Sequence, residues 1–250
     1  MMEVLVGFKK TSLVDYPGKV AATIFVPGCN LRCPWCHNRE LVETSPEERD
    51  GLSPLSQVLE QLQKRKKVLS AVVITGGEPT LRSDLGSLVE ELHRMGFLVK
   101  LDTNGTLPDR LEKLFSVAAS RPDYVALDLK VAPQRYGELL PLDLGTEAPQ
   151  SLGEHTGGEN LKRTANLLVQ YRIPHEFRTL VLPRNHVTDR DLTALAPLVD
   201  PSPWYFSAFR GGNCLDPRWN DLEEPDQETV KALAEGAKKL GKPVFIRVSP

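Results

Sequence analysis

The chain has 250 residues, 40% hydrophobic and 26% charged, with a formal net charge of -2 and an isoelectric point near 6.2. That length can bury a full core in one domain of α/β-barrel size, while a charge balance this close to neutral supplies no basic field and excludes nucleic acid as the default partner. No apolar run reaches the roughly eighteen residues of a membrane span and none follows a basic segment at the N-terminus, so a cytoplasmic protein with no membrane partner is expected.

Val4 to Phe8 alternates in polarity, and Asp15-Tyr16-Pro17-Gly18 has the Pro-Gly signature of a tight turn, which predicts an edge hairpin or lid over residues 1–19. Val20 to Val26 is apolar and β-branched without alternation, as in a strand buried on both faces. Directly after it, three of the four cysteines fall in the stretch Cys29-Asn-Leu-Arg-Cys33-Pro-Trp-Cys36. A helix is predicted over Leu55 to Leu69, with Pro54 suited to its first turn and the basic run Lys64 to Lys67 as its solvated end. The strand Ala71 to Thr75 runs into Gly76-Gly77-Glu78-Pro79. Helix Asp84 to Met95, strand Phe97 to Leu101, loop Asp102-Thr103-Asn104-Gly105, helix Leu107 to Ala119 and strand Tyr124 to Leu129 continue the alternation.

The rhythm fails from Val131 to Glu159, where several Gly and Pro and the acidic neighbours of His155 predict a long loop with one short helix. It resumes with helix Asn160 to Tyr171, strand His175 to Leu182, helix Asp189 to Val199, strand Trp204 to Phe209, helix Gln227 to Leu240 and strand Val244 to Val248. Repeated βα units imply a parallel sheet with helices outside. The fold class expected is α/β, a partial (β/α)6 barrel, in a single domain 1–250: an N-terminal extension over 1–19, the barrel core over 20–210, and a C-terminal helix and strand within 211–250. The polar motifs all follow carboxyl ends of predicted strands, the end that carries the site in parallel α/β architectures.

Thiolates at gaps of three and two residues on a loop can converge on one centre, whereas cysteines used for packing are scattered. Structural zinc takes four protein ligands, and although His37 or Cys214 could be the fourth, His37 directly follows Cys36 and adjacent side chains rarely reach one ion. A four-iron four-sulfur cluster held by three cysteines keeps one iron open.

The three-cysteine spacing after a first strand, Gly-Gly-Glu-Pro after a second and the βα rhythm resemble the radical S-adenosylmethionine superfamily. The resemblance implies that Cys29, Cys33 and Cys36 ligate a 4Fe-4S cluster with one open iron. It also implies that S-adenosylmethionine binds there, with Gly76, Gly77, Glu78 and Pro79 around its methionine amino group. One electron then cleaves the cofactor to methionine and a 5′-deoxyadenosyl radical, which abstracts a hydrogen atom. Glycines let backbone approach a ligand, and a carboxylate accepts from an ammonium.

Cys36-His37-Asn38, Asp15-Tyr16-Pro17-Gly18, Asp102-Thr103-Asn104-Gly105 and Asp128-Leu129-Lys130 are together similar to the activating enzymes of glycyl radical enzymes, and most of all to those of the anaerobic (class III) ribonucleoside-triphosphate reductase. This closer likeness implies a glycyl radical enzyme, the anaerobic ribonucleotide reductase, as partner. It places Asp102, Thr103, Asn104 and Asp128 along the cofactor pocket with a monovalent cation near Asp102 and Asp128, sets Lys130 beside the cofactor or the peptide, and directs Arg178 to the cofactor ribose or carboxylate. The chain departs from the pattern after the sixth strand, where a histidine is replaced by Phe209-Arg210-Gly211-Gly212-Asn213. No cysteines are left for a second cluster, which implies flavodoxin or ferredoxin as electron donor. Trp35 would shield the cluster or pack over the adenine, His37 and Asn38 would bond to cluster sulfur or cofactor or stabilise the loop, and Cys214 would be inert. His93, His155 and His186 are expected at the surface.

Three alternatives compete: an activase of the pyruvate formate-lyase type, a small-molecule radical enzyme such as 7-carboxy-7-deazaguanine synthase, and a non-enzymatic iron-sulfur or zinc module. The last would close its site with a fourth cysteine.

Overall fold

The computed structural model describes residues 4–42, 51–141, 157–199 and 201–247. Its contacts separate two compact units: Met1–Asn30, Asn38–Thr103 and Asp109–Val125 form one, and Leu31–His37, Asn104–Pro108 and Ala126–Pro250 the other.

In the first unit, β1 (Leu5–Ser12) pairs antiparallel with β2 (Ala21–Val26) and with the short β3 (Ser53–Pro54). β4 (Ala71–Gly76) and β5 (Leu98–Thr103) add in parallel, in the order β3-β1-β2-β4-β5. Ala21, Ala22, Ile24 and all of Ala71 to Ile74 are fully buried, which is why these strands read as continuous apolar runs. Of residues 1–19, read as an edge hairpin or lid, the described ones form a single strand: β1 pairs with β2 beyond them and with β3 on its other side, across a turn in which Gly18 takes φ 67°.

After the single turn α1 (Arg39–Val42), α2 (Leu55–Lys64) buries Val58 and Leu62, and α3 (Leu85–Arg94) buries Leu85, Leu88, Val89 and Leu92, each a stripe at helical spacing. α4 (Pro108–Ser116) follows. α2 ends at Lys64 rather than Leu69, and the basic run is not wholly a solvated tail. The Arg65 guanidinium donates to the Lys10 carbonyl and to the Thr11 hydroxyl (2.7 Å), strapping the end of the helix to β1.

The second unit takes up β6 (Tyr124–Asp128) from its third residue and adds β7 (His175–Val181), β8 (Trp204–Ala208) and β9 (Val244–Ile246), the last three paired in parallel. α5 (Gly157–Gln170), α6 (Asp189–Leu195) and α7 (Gln227–Lys239) accompany them. α6 opens on a capping box between Thr188 and Asp191. It tightens to a 3-10 turn over Ala196–Leu198, because Pro197 has no N–H with which to continue the α ladder predicted to Val199. Asp226 accepts from the Thr229 N–H at 2.7 Å to start α7.

Within the stretch predicted as a loop, Pro133–Leu139 forms a 3-10 turn that buries Tyr136 and Leu139. Residues 142–156, His155 among them, lie outside the described residues. Among the described residues no helix is long and apolar enough to cross a membrane.

Candidate active site

Two strands of the first unit end at the same level, since Val26 of β2 is in register with Gly76 of β4. Beyond that point the Gly-Gly turn lies against the start of the cysteine loop. Gly77 N–H donates to Val26 O and Glu78 N–H to Gly28 O, both at 2.8 Å, and the Asn38 amide donates to Gly76 O at 2.7 Å. The packing leaves no room for side chains. A Cβ on Gly77 would fall 1.9 Å from the Gly28 oxygen, and Gly76, at φ 118°, would put one 2.4 Å from the Val26 nitrogen. The two glycines thus set the backbone just ahead of Cys29, a reason for their identity that does not depend on any ligand.

Glu78 is wholly buried. Its Oε1 accepts from Thr80 N–H (3.1 Å), Thr80 Oγ1 (2.5 Å) and Thr103 Oγ1 (2.8 Å), joining the Gly-Gly-Glu-Pro turn to the end of β5. Pro79 opens the 3-10 turn Pro79–Leu81. Asp102 meets a partner the sequence reading passed over: Lys100, only 1% exposed, whose Nζ lies 2.7 Å from Asp102 Oδ1. The signal was a lysine inside an apolar strand two positions before an aspartate, hence on the same strand face.

In the second unit, the Cys33 to Cys36 turn closes with a Cys36 N–H to Cys33 O bond of 3.0 Å. Arg32 N–H donates to Leu139 O (2.7 Å), Leu215 N–H to Cys36 O (2.9 Å) and Asp216 N–H to Pro34 O (2.9 Å). His37 Nε2 sits 2.5 Å from the Arg210 carbonyl, which can only accept, so that ring nitrogen carries the proton. The bond of His37 is therefore to the Phe209 to Asn213 stretch, and that of Asn38 to Gly76; both stabilise the loop. Trp35 is buried, with the rings of His186 and Trp219 each 5.3 Å away. His186 is thus half-buried rather than on the open surface: burial, and then the Arg135 guanidinium, hold its pKa below the ordinary value. His93, partly exposed, bonds to Asp123 Oδ2 at 3.0 Å and to the Ala119 carbonyl at 2.9 Å in the first unit.

Cys214 is fully buried, and its neighbour Leu215 is bonded to Cys36. Burial pushes its thiol up, with Cys36 and Asp216 adding to the shift. Remote in sequence, it lies beside the cysteine loop.

Asp128, at the end of β6, accepts from Arg178 Nε (2.8 Å) and Lys130 Nζ (3.2 Å). Burial alone would raise its pKa, but Arg178 first and Lys130 second outweigh it and bring the carboxyl to about 2. Tyr136 donates to Asp128 O (3.3 Å) and accepts from Lys130 N–H (3.0 Å); burial raises its phenol. Asn104 Oδ1 accepts from Thr106 N–H (3.0 Å) and Oγ1 (2.7 Å), which shapes its own loop. Arg178 and Lys130 are thus brought together on Asp128. Asp102 and Asp128, the carboxylates expected beside a monovalent cation, each bond to a side-chain cation of the protein within their own unit.

Parallel α/β units with a three-thiol loop after the first parallel strand and a Gly-Gly-Glu turn after the second define a class of iron-sulfur radical enzymes. The profile of the Radical SAM superfamily matches residues 23–195, and the chain belongs to that superfamily. The chain is 30% identical over 249 residues to a Methanocaldococcus jannaschii protein provisionally named a glycyl-radical enzyme activating enzyme, covering 99% of this chain and 97% of that one. It is 39% identical to 7-carboxy-7-deazaguanine synthase of Rhodospirillum rubrum over 93 residues, 37% of each chain. A radical SAM methyltransferase from Sphaerobacter thermophilus has the same fold, with a TM-score of 0.66 at 17% identity over 94% of this chain and 67% of that one. Superfamily membership implies a 4Fe-4S cluster and S-adenosylmethionine. The donor set fits: Cys29, Cys33 and Cys36 are in no disulfide and are half-buried or buried, and soft thiolates are the ligands such clusters take.

Proposed function

We propose that this enzyme is a glycyl radical activase, taking a hydrogen atom from a glycine Cα of a partner enzyme, the anaerobic ribonucleoside-triphosphate reductase. The observation that supports this reading is the full-length similarity to a relative named as an activating enzyme, against similarity over little more than a third of the chain to the deazaguanine synthase. When bound, the cluster and S-adenosylmethionine supply one-electron cleavage chemistry ending in hydrogen-atom abstraction. In this reading Cys29, Cys33 and Cys36 hold the cluster, and the turn Gly76 to Pro79 receives the methionine amino group. Thr103 and Asn104 fix the loop beside it. Arg178 and Lys130, which meet on Asp128, orient an anionic group such as a carboxylate. Trp35, backed by Trp219, keeps water from the thiol loop. No side chain need act as acid or base, since positioning the glycine hydrogen is the protein's task. A flavodoxin or ferredoxin supplies the electron.

The test is to reduce the reconstituted protein with S-adenosylmethionine and the partner and record electron paramagnetic resonance. A glycyl doublet is expected; 5′-deoxyadenosine formed without one sinks the activase reading and spares the superfamily. The 39% local identity favours deazaguanine synthesis as second reading, which product analysis with the deazapurine precursor separates.

A further inference from the structure

We infer that Arg135 is a positioning residue for the thiol loop: acting through His186, it fixes the ring of Trp35, between Cys33 and Cys36, and so keeps closed the wall that shelters the cluster when it is bound. All of these residues belong to the second unit. Arg135 sits on the 3-10 turn Pro133–Leu139. Its Nη1 donates to the His186 carbonyl (2.8 Å) and to Asp191 Oδ1 (2.9 Å), and its Nη2 lies 3.4 Å from His186 Nε2. A guanidinium has no acceptor, so Nε2 offers its lone pair and the imidazole is neutral, with its proton on Nδ1. Glu138 accepts from Arg135 Nε (3.0 Å) and Nη2 (2.9 Å), which fixes the plane of the fork. One side chain thus holds both the main chain and the ring of His186.

His186 follows Arg184 and Asn185, at φ 56° and 52°, left-handed conformations that L residues hold at a cost. Its ring meets those of Trp35 and Trp219 at interplanar angles of 67° and 89°, with centroids 5.3 Å away in both cases, and the two tryptophans stand 5.3 Å from each other. Turning the imidazole would therefore displace or uncover Trp35, now buried. The 3-10 turn reaches the loop a second time, where Leu139 O accepts from Arg32 N–H at 2.7 Å, one residue ahead of Cys33. Asp191 anchors the other end and does not depend on Arg135: it also accepts from Thr188 N–H (2.9 Å), Thr188 Oγ1 (2.8 Å) and Ala132 N–H (3.0 Å). The shell around a metal site governs solvent access to it, which is what the wall contributes. This role rests on the reading of Trp35 as the shield of the cluster, but one arm of its test does not.

That arm uses the protein without cluster, labelled with 5-fluorotryptophan. The three tryptophans give three fluorine resonances, assigned with Trp35→Phe and Trp219→Phe. Arg135→Met is expected to shift or broaden the signals of Trp35 and Trp219 and to leave that of Trp204, buried in β8, where it was. Arg135→Lys separates positioning from support. One ammonium can still bridge the His186 carbonyl and Asp191, so its melting temperature should stay within about 2 °C of the wild type. It lacks the second nitrogen that holds the imidazole, so the Trp35 signal should move as in Arg135→Met. After reconstitution both variants should bind as much iron as the wild type, yet lose the cluster's visible absorbance in air roughly fivefold faster. A Trp35 signal that stays in place in the folded variants overturns the part given to Arg135; should Arg135→Met fail to fold, Arg135→Lys decides alone. A displaced signal with wild-type bleaching overturns the shielding by Trp35 instead, and the two failures are told apart.

Discussion

Thr103 donates its hydroxyl to Oε1 of the fully buried Glu78 at 2.8 Å, and through that bond the end of β5 is tied to the turn that follows β4. The sequence reading made Glu78 a cofactor contact; its bonds to Thr80 and Thr103 make it also a bracket of the two loops. Glu78→Ala leaves two hydroxyls and an amide without their acceptor, so a loss of roughly 2–4 kcal/mol is expected in urea unfolding. Glu78→Gln keeps an acceptor oxygen and should lose about half as much. An unchanged midpoint for Glu78→Ala would remove the bracket role.

Gly77→Ala tests whether the Gly-Gly turn sets the cysteine loop. With the added methyl 1.9 Å from the Gly28 oxygen and 2.6 Å from its carbon, backbone must move, and the nearest backbone leads directly into Cys29. The expected result is less iron bound per chain after reconstitution, with an apo-protein less stable by about 1–3 kcal/mol. Full iron content with unaltered stability would show that the turn tolerates displacement.

The strands and helices were legible because each buries a stripe at its own period, and β4 or α3 needs no partner to be recognised. The thiol loop was legible as a local pattern for the same reason. Lys100 with Asp102, Trp35 with His186 and Trp219, and Cys214 near Cys36 were not. Lys100 was concealed inside a run scored for its apolar neighbours. The other two pairings join residues more than a hundred positions apart, a relation no local period encodes. His37 and Asn38 carried two readings, a bond to cluster or cofactor and a loop-stabilising one, and their bonds to the Arg210 and Gly76 carbonyls are of the second kind.

Acid stability should report on Asp128. Its folded pKa is about 2 against an ordinary 3.8, chiefly through Arg178 and Lys130 acting against burial. A depressed carboxyl contributes stability that is complete above its unfolded pKa, near 4, and is lost as pH falls toward 2. With the side chain 27% exposed, up to about 2 kcal/mol is at stake. Unfolding free energies measured at pH 5 and pH 2.5 should differ less in Asp128→Asn than in the wild type. Equal differences would mean that the ion cluster contributes nothing to the acid limb.

Cys214 separates a cluster with an open iron from one closed by protein. Its burial and the Leu215 to Cys36 bond place it beside the thiol loop, where a fourth cysteine would have to lie to complete a closed site. Its distance in sequence from the three-thiol motif sets it apart from the ligand pattern of such clusters, in which the cysteines are closely spaced. Cys214→Ala should therefore retain the iron, the sulfide and the visible spectrum of the wild type, at a packing cost of about 1 kcal/mol, whereas Cys36→Ala should lose the cluster. S-adenosylmethionine should still perturb the reduced cluster's resonance in Cys214→Ala, since the iron left open by Cys29, Cys33 and Cys36 is then open with or without this thiol. Loss of the cluster in Cys214→Ala would mean four cysteine ligands, no vacant iron and no place for the cofactor to be cleaved.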